Sequence, residues 1–427
     1  YDGLDVEVGN AISRLNATRR KFDIITLINT HSGRTIGYPS GPDFLHTKET
    51  YGLYFNRLSE DGYLLFEERV FNRGGDLAFY RMLNTLWHTL KDRGAADPSN
   101  HFLIWEWDGA SYPHINRSYD ADLDRYKTAE KHYYGMIVTR EPILGPLRSK
   151  AMEWLTHGVS NTRVDYLKGL LEWGEFSQVF KMIEKDDFSA LASEGFDSRP
   201  VTNDIPFPSL SRKTVPQIRE LIIPALWVFG CLILLFSIGT VRGSHSRHAL
   251  SLLAINILIG LGYFFIEIML LQVYQNIFVS ASWSLILVLG LLLLSSGIGG
   301  MYARRLRPWL VTAILIPVAI SAVFLPGVMA VSSLPFALIK LFSLLLIGST
   351  GFCMGLYFPH GLEMADRWAM SHKVPHLFAV NSVAGSAAVL VALYLGVRVG
   401  YATTVIIAAL CYCVAGILIT VHQKAAD

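Results

Sequence analysis

A single carboxylate stands inside the longest apolar stretch of the chain. From Ala249 to Tyr302, Glu267 is the only ionisable side chain other than tyrosine. A carboxylate at bilayer depth costs about 2.5 kcal/mol or more unless it is paired, protonated or placed in a wet cavity. Glu267 therefore either bonds Gln272, Asn381 or a backbone carbonyl and serves helix packing, or forms a proton or ligand site.

A second charged residue is predicted to lie within a membrane span. Lys340 falls about one turn inside an apolar run. A lysine at this depth can extend its ammonium group to the interface, so snorkelling explains it without a function. The cysteines Cys231, Cys353, Cys411 and Cys413 all fall in predicted membrane helices as well. The N-terminal half therefore has neither a disulfide nor a thiolate metal site, and we predict no metal site.

Seven apolar runs are long enough to cross a bilayer as helices. They lie near Leu221–Val241, Ala249–Tyr274, Trp283–Tyr302, Trp309–Met329, Pro335–Phe358, His376–Val397 and Tyr401–Val421. Small residues recur in three of the runs at spacings that allow close helix contacts. They are Gly297, Gly299 and Gly300; Gly348, Gly351 and Gly355; and Ala384, Gly385, Ala387 and Ala388. We predict an all-α polytopic membrane domain over residues 217–427.

Loop charge predicts the topology of this domain. Arginine and lysine concentrate in the first, third and fifth loops and the C-terminal tail, at Arg242, Arg247, Arg304, Arg305, Arg307, Arg367, Lys373 and Lys424. The positive-inside rule places these segments in the cytoplasm. An odd number of crossings then leaves the N-terminal domain on the opposite side, in the periplasm if the membrane is a bacterial inner membrane. Arg212, Lys213 and Arg219 count against this orientation.

The N-terminal half alternates strand and helix patterns. "KFDIITLI" (Lys21–Ile28) is typical of a buried parallel strand, and a loop follows over Asn29–Asp43. A helix is predicted over His46–Leu58, a turn at Asp61-Gly62 into a second strand, and an amphipathic helix over Asp76–Leu90. "HFLIWEW" and "YYGMIVTR" then predict two antiparallel strands. This order predicts the second half of a doubly wound α/β sheet over residues 1–145.

Residues 146–216 are predicted to be a helical segment and linker. Apolar residues repeat at three and four in "RSKAMEWLTHGV" and "RVDYLKGLLEWGEFSQVFKMIEKDDF". We interpret Trp154, Leu167, Trp173 and Phe180 as part of a packing face. A Pro-rich segment, "SRPVTNDIPFPSL", then leads to the first span.

Three segments in register carry a family resemblance. "FDIITLINTHS", "FLHTKETYGLYFNRLSEDGYLL" and "YYGMIVTREPI" resemble the membrane-embedded spermidine synthase-like proteins, which join a class I methyltransferase-type (Rossmann-like) domain to a polytopic membrane domain. "GYFFIEIMLLQ", "LLLLSSGIGG", "GFCMGLYFPHGL" and "FAVNSVAGSAAVLVALYLGVRVGY" continue the resemblance through the membrane half. The resemblance implies a polyamine aminopropyltransferase or another S-adenosylmethionine-type transferase.

The chain departs from the family pattern at two positions where the family has acidic residues. Asn29, followed by Thr30 and His31, stands where the resemblance places the carboxylate that orients or deprotonates the amine. Asn10 in "VGNAISRL" replaces a second acid, near the nucleoside. A neutral amide accepts no proton at neutral pH. Asp204 lies in "TNDIPF", which weakly matches a family loop that closes the polyamine pocket.

Other groups could stand in for the missing acids. The candidates are Asp23, His31, Asp43 and His46, of which His31 is the best placed. A loop histidine without a visible partner can also be simply solvated. No glycine-rich phosphate turn occurs before residue 20, so no cofactor site is assigned. The first strand would also have an unpaired edge, which we expect an upstream segment or another subunit to cover.

Composition excludes one class of partner. The formal charge is only +2, and no basic run interleaved with aromatic residues indicates nucleic-acid binding. We expect membrane lipid and other protein subunits as partners. The favoured hypothesis is a membrane-anchored, catalytically degenerate binding or scaffold subunit of a membrane complex, a pseudoenzyme. The alternatives are an active aminopropyl- or methyltransferase whose cofactor-binding half lies upstream, and a transporter of polyamines or small solutes.

Overall fold

The computed structural model divides the chain into two compact units. It describes residues 11–28, 42–70, 73–108, 132–146, 149, 153, 162–167, 171–172, 174–208, 214–242, 246–275, 277–278, 281–331 and 334–424. Thr18–Thr214 form one unit, called the sheet unit here. Val215–Asp427 form the other, the membrane unit, together with the N-terminal helix α1 (Ala11–Ala17).

The sheet unit is built on one mixed sheet. Its strands are β1 (Phe22–Ile28), β2 (Leu58–Val70), β3 (Phe102–Asp108), β4 (His132–Thr139), β5 (Thr162–Leu167) and β6 (Leu171–Glu172). The spatial order is β1-β2-β4-β3-β5-β6. β1 and β2 are parallel, and every other neighbouring pair is antiparallel, including the predicted pair β3 and β4. The helices α2 (Lys48–Arg57), α3 (Arg73–Asp92), α4 (Gly174–Lys185) and α5 (Ser189–Ala192) complete the unit.

β1 is an edge strand and is not buried on both faces as predicted. Leu27 is buried, but Ile24 and Ile28 are 47% and 51% exposed. Their side chains share one face because alternate residues of a strand point the same way. The other neighbour expected for a middle strand is missing from the described part of the sheet. Within the described residues, one edge and one apolar face of β1 are therefore open.

The predicted turn at Asp61-Gly62 is replaced by an irregularity within a continuous strand. Phe22 of β1 pairs with Leu58, whereas Ile24 pairs with Tyr63, so β2 carries extra residues between the two pairs. A Cβ at Gly62 would come within 2.9 Å of the carbonyl oxygen of Phe22. A residue without a side chain is needed for the strand to pass β1 at this point.

The predicted helix over Thr162–Leu167 was wrong, because these residues form β5. β5 pairs antiparallel with β3, and Leu103 faces Leu167. The three- and four-residue repeat of "RVDYLKGLL" resembled a helix, but pairing with the free edge of β3 outweighed that local pattern. The helical pattern is correct further along, where α4 buries Phe176, Val179, Phe180 and Ile183.

The predicted amphipathic face of α3 forms much of the core. Leu77, Tyr80, Met82, Leu83, Leu86, Trp87 and Leu90 are all buried. On the sheet, Trp105 of β3 lies opposite Gly135 of β4, and a Cβ at Gly135 would overlap the indole ring. Trp105 is fully buried in this position. Gly135 thus makes room for the largest side chain of the sheet core.

The membrane unit contains the seven predicted spans. Seven described helices or helix pairs are long and apolar enough to cross a bilayer, which indicates an integral membrane protein. The helices are α6 (Thr214–Val241), α7 (Ser246–Tyr274), α8 (Ala281–Tyr302), α9 (Pro308–Val331), α10 (Phe336–Gly355), α11 (Tyr357–Arg367), α12 (Val374–Val399) and α13 (Tyr401–Lys424). α10 and α11 together make the fifth span. α7 packs against α12 and α13, and α8 packs against α10.

Glycines set the closest helix contacts of this unit. A Cβ at Gly299 would overlap the carbonyl oxygen of Phe352, and one at Gly355 would overlap that of Ser296. The backbones of α8 and α10 therefore touch directly. Gly297, which was predicted to belong to the same contact, has no atom within 4 Å of its Cβ position. Of these two nearby glycines of α8, only Gly299 is needed for close packing.

Candidate functional site

Most sequence-predicted residues of the sheet unit's pocket lie outside the described part of the chain. Asn10, Asn29, Thr30 and His31 all belong to this group. The helix that follows Asn10, α1, packs against α9 and α10 within the membrane unit, although the resemblance places this segment in the α/β domain. Asp204 lies within the described residues.

Asp204 belongs to a segment that crosses the N-terminal end of α2 and one side of α3. We call this segment, residues 197–207, the strap. The backbone N–H of Lys48 donates to the carbonyl of Val201 at 2.8 Å. The backbone N–H of Asn203 donates to Glu49 Oε2 at 2.9 Å. Burial raises the pKa of Glu49, an effect that the backbone donors of Glu49 and Asn203 oppose.

Thr47 joins the helix cap to the strap. Its Oγ1 accepts from the backbone N–H of Thr50, as expected for an N-cap, and donates to Asn203 Oδ1 at 2.8 Å. Thr47 is fully buried. The start of α2 and the strap are therefore fixed by the same side chain.

A buried ion pair holds the strap to α3. Arg81 and Asp197 are only 1% and 3% exposed, and Arg81 Nη2 lies 3.5 Å from Asp197 Oδ2. Arg81 also donates to the carbonyl oxygens of Arg199, at 2.9 Å, and Phe207, at 2.7 Å. Burial lowers the pKa of Arg81 to about 10, although Asp197 opposes the shift. The guanidinium thus contacts the strap near both of its ends.

Two of the four candidate substitutes for the missing acids are brought together. His46 Nε2 lies 3.9 Å from Asp43 Oδ2, and His46 Nδ1 is 3.0 Å from the hydroxyl of Tyr51. Burial raises the pKa of Tyr51 well above its ordinary value, and Asp43 adds to the effect. The His46 ring is completely buried, so this geometry gives it a packing role. Asp23 is exposed and instead accepts from Ser59 at 2.7 Å.

The intramembrane residues do not form the contacts that the sequence suggested. Asn381 Nδ2 donates to the carbonyl of Asn256 on α7 at 2.9 Å. Gln272 Oε1 has no hydrogen-bond partner among the described residues. Glu267 is 7% exposed, and no hydrogen bond joins it to Gln272 or Asn381 in the described part of the chain. Lys340 is half-buried in the first turns of α10.

Sequence analysis missed Arg81, Tyr51 and Asp197. Arg81 lies within the predicted amphipathic helix, where no role was assigned to it, and it faces the strap. An aspartate two residues before Arg199 is a local turn signal, and Asp197 Oδ1 accepts from the Arg199 backbone N–H. Contacts between residues so far apart in sequence cannot be predicted from periodicity.

Comparisons with protein-family models, curated proteins and solved structures find no match to this chain. Among the described residues, no group of three or more His, Cys, Asp or Glu side chains could hold a metal ion. The candidate sites are therefore the open β1 edge, the strap and the polar interior of the membrane unit.

Replacing Thr47 by valine tests the link between α2 and the strap. We expect a loss of about 2 kcal/mol of local stability, because the cap is removed and a buried acceptor loses its donor. Hydrogen exchange of the α2 and strap amides, measured by mass spectrometry on the full chain in detergent, reports the change. Thr18→Val is the control, since the half-buried Thr18 accepts through Oγ1 from the backbone N–H of Arg20 and has no link to the strap. Equal exchange in both variants would contradict the role of Thr47.

Proposed function

We propose that this protein is a membrane-anchored, catalytically degenerate spermidine synthase-like protein, and that its sheet unit binds another subunit of a membrane complex. The occupant of the binding surface is an extended polypeptide segment of that subunit. The segment pairs with β1 as an added strand. The observation that carries the proposal is the open edge of β1 with its exposed isoleucines.

The chemistry of the β1 edge favours a strand as the occupant. An unpaired edge presents backbone N–H and C=O groups that only another extended backbone satisfies in series. Ile24, Thr26 and Ile28 lie on one exposed face, so an added strand can also cover apolar surface. Proteins usually protect such an edge with charge, proline or a covering element. An edge that keeps two exposed isoleucines favours a binding role.

The fold assignment is a further part of the proposal. β1, α2 and β2 form a parallel strand–helix–strand unit, the building block of doubly wound sheets. This supports a Rossmann-like, methyltransferase-type origin for the sheet unit. The antiparallel strands that follow agree with the terminal strand pair of that fold. The amides Asn10 and Asn29 at the expected acidic positions support loss of the transferase reaction.

Location follows from loop charge. We propose that the membrane unit lies in a bacterial inner membrane with its arginine-rich loops in the cytoplasm and the sheet unit in the periplasm. A nucleoside donor is absent on that side, which agrees with a binding role. The partner segment would then belong to a periplasmic or membrane protein.

Site-specific photo-cross-linking in native membranes tests the binding surface. We expect a cross-linker at Ile24 or Ile28 to give one discrete adduct, whose cross-linked peptides map to one segment of one other polypeptide. A cross-linker at Leu144, which is 56% exposed elsewhere in the sheet unit, is the matched control. Adding Ile28→Lys should reduce the Ile24 adduct by about tenfold, because a buried charge at the contact disfavours pairing. Equal labelling from all three positions would contradict the proposal.

A further inference from the structure

Three polar side chains meet inside the membrane unit near mid-span. Tyr263 and Glu267 are four residues apart on α7 and so lie on the same face. Tyr412 on α13 packs against α7 at Gly262, the residue before Tyr263. Gly262 permits this approach, since a Cβ there would lie 2.8 Å from Tyr412 Cε2. The carboxylate and the two phenols thus lie along the contact between α7 and α13.

The two phenols lack hydrogen-bond partners. Tyr412 is fully buried, and its hydroxyl makes no hydrogen bond with any residue that the structure describes. The same is true of the buried hydroxyl oxygen of Tyr263. An unpaired buried hydroxyl is costly, and internal water is the usual partner of such a group. Two such hydroxyls beside a carboxylate indicate a small hydrated site.

A ring contact leads from Tyr412 to a pair of hydroxyls nearer the basic end of the unit. The ring of Tyr412 packs edge-on against Tyr357 of α11, with centroids 4.8 Å apart. The Tyr357 hydroxyl lies 2.6 Å from Thr312 Oγ1 on α9. Thr312 Oγ1 in turn donates to the carbonyl of Pro308 at 2.9 Å, so Tyr357 must donate to Thr312. Pro308 directly follows the loop that carries Arg304, Arg305 and Arg307.

No cation neutralises Glu267 in the described part of the unit. Tyr263 on its own helix and Tyr412 on α13 are the titratable groups that face it, and no lysine, arginine or histidine of the helices packed against α7 acts on it. A buried carboxylate without a countercharge or hydrogen bonds is strongly disfavoured in an apolar interior. A bound proton removes that charge. Lys340 lies on α10, near the end of its span.

We propose that Glu267 is a proton-binding site in the interior of the membrane unit, reached from the basic end through Tyr357, Tyr412, Tyr263 and water held at their hydroxyls. The step is a proton transfer from water to a Glu267 carboxylate oxygen, and it needs no other reactant. This site is independent of the β1 edge. It gives the membrane unit a role beyond anchoring.

Infrared difference spectroscopy of the full chain in lipid nanodiscs, between acidic and alkaline buffers, tests the proposal. We expect the C=O band of a protonated carboxylic acid to appear at acidic pH, with a shift in heavy water. Glu267→Gln should abolish the band, whereas Glu363→Gln, which alters a half-buried glutamate at the end of α11, should retain it. A missing band, a band that survives Glu267→Gln, or a band that follows sodium concentration instead of pH would overturn the proposal.

A second variant tests the route. Tyr412→Phe removes an unpaired hydroxyl and should not impair folding. We expect it to slow proton uptake after a pH jump by about tenfold, because the loss of one hydroxyl from the route raises the barrier to proton transfer. Tyr274→Phe is the control, because the Tyr274 hydroxyl donates to the carbonyl of Ala322 away from this route. Unchanged uptake in Tyr412→Phe would overturn the proposed route.

Discussion

Replacing Gly299 by alanine should strongly disrupt the packing of the membrane unit. The added Cβ would overlap the carbonyl oxygen of Phe352, which is backbone and cannot rotate away. α8 and α10 must then separate, and the opposing contact at Gly355 is lost with them. We expect a destabilisation of about 3 kcal/mol, at the upper end of overpacking effects. Thermal unfolding of the full chain in detergent measures it.

Gly297→Ala is the matched control for this change. It adds the same methyl group two residues earlier on the same helix, where its Cβ meets no atom within 4 Å. We expect its unfolding temperature to stay within a few degrees of the wild-type value. Similar destabilisation by both changes would mean that helix propensity decides the outcome, and would refute direct backbone contact between α8 and α10.

Replacing Asp197 by alanine should cause the largest loss of stability in the sheet unit. The change leaves the guanidinium of Arg81 buried without its carboxylate, and breaking a buried pair in this way costs about 3–5 kcal/mol. The strap should detach from α3 as a consequence. Hydrogen exchange of the α3 and strap amides in the full chain measures the loss.

The same carboxylate predicts a pH dependence. Burial alone would raise the pKa of Asp197, but the hydrogen bonds from Arg199 and the charge of Arg81 outweigh burial and lower it. A carboxyl group whose folded-state pKa is depressed stabilises the fold above its unfolded pKa of about 3.9. That stability is lost as the pH falls through the lower, folded value. The wild-type strap should therefore lose protection in acid, whereas Asp197→Ala should lack this part of the pH dependence.

Asp187→Ala separates the buried pair from the local turn. Asp187, like Asp197, accepts from a backbone N–H two residues further on, but it is exposed. We expect its replacement to cost less than 1 kcal/mol. A loss as large as that of Asp197→Ala would assign the effect to the turn and not to Arg81.

The sequence predicted the elements whose apolar pattern extends over several turns. The buried face of α3, from Leu77 to Leu90, was predictable because its apolar residues repeat at helical spacing. The seven spans were predictable because each is apolar along its length. β5 was missed because "RVDYL" is too short to distinguish the repeat of a strand from the repeat of a helix. Its assignment as a strand depends on pairing with the free edge of β3. The exposure of Ile24 depends likewise on the strand order, which no local pattern contains.

The candidate sites likewise contain some residues that the sequence indicated and others that it did not. Glu267 was recognisable because a carboxylate in an apolar run is conspicuous in sequence. Its surroundings were not recognisable, because Tyr412 belongs to a helix far along the chain and packs against α7 at Gly262. Arg81 and Asp197 were hidden for the same reason: each looks like a surface charge until the strap brings them together.

The mass of the native assembly, measured directly from membranes in mild detergent, tests the central proposal most directly. We predict a complex heavier than one chain by a second polypeptide, which Ile24→Lys with Ile28→Lys reduces to the lone chain, while Leu144→Lys leaves it intact. A monodisperse single chain from wild-type membranes, or a complex unaffected by lysines on β1, would contradict the account.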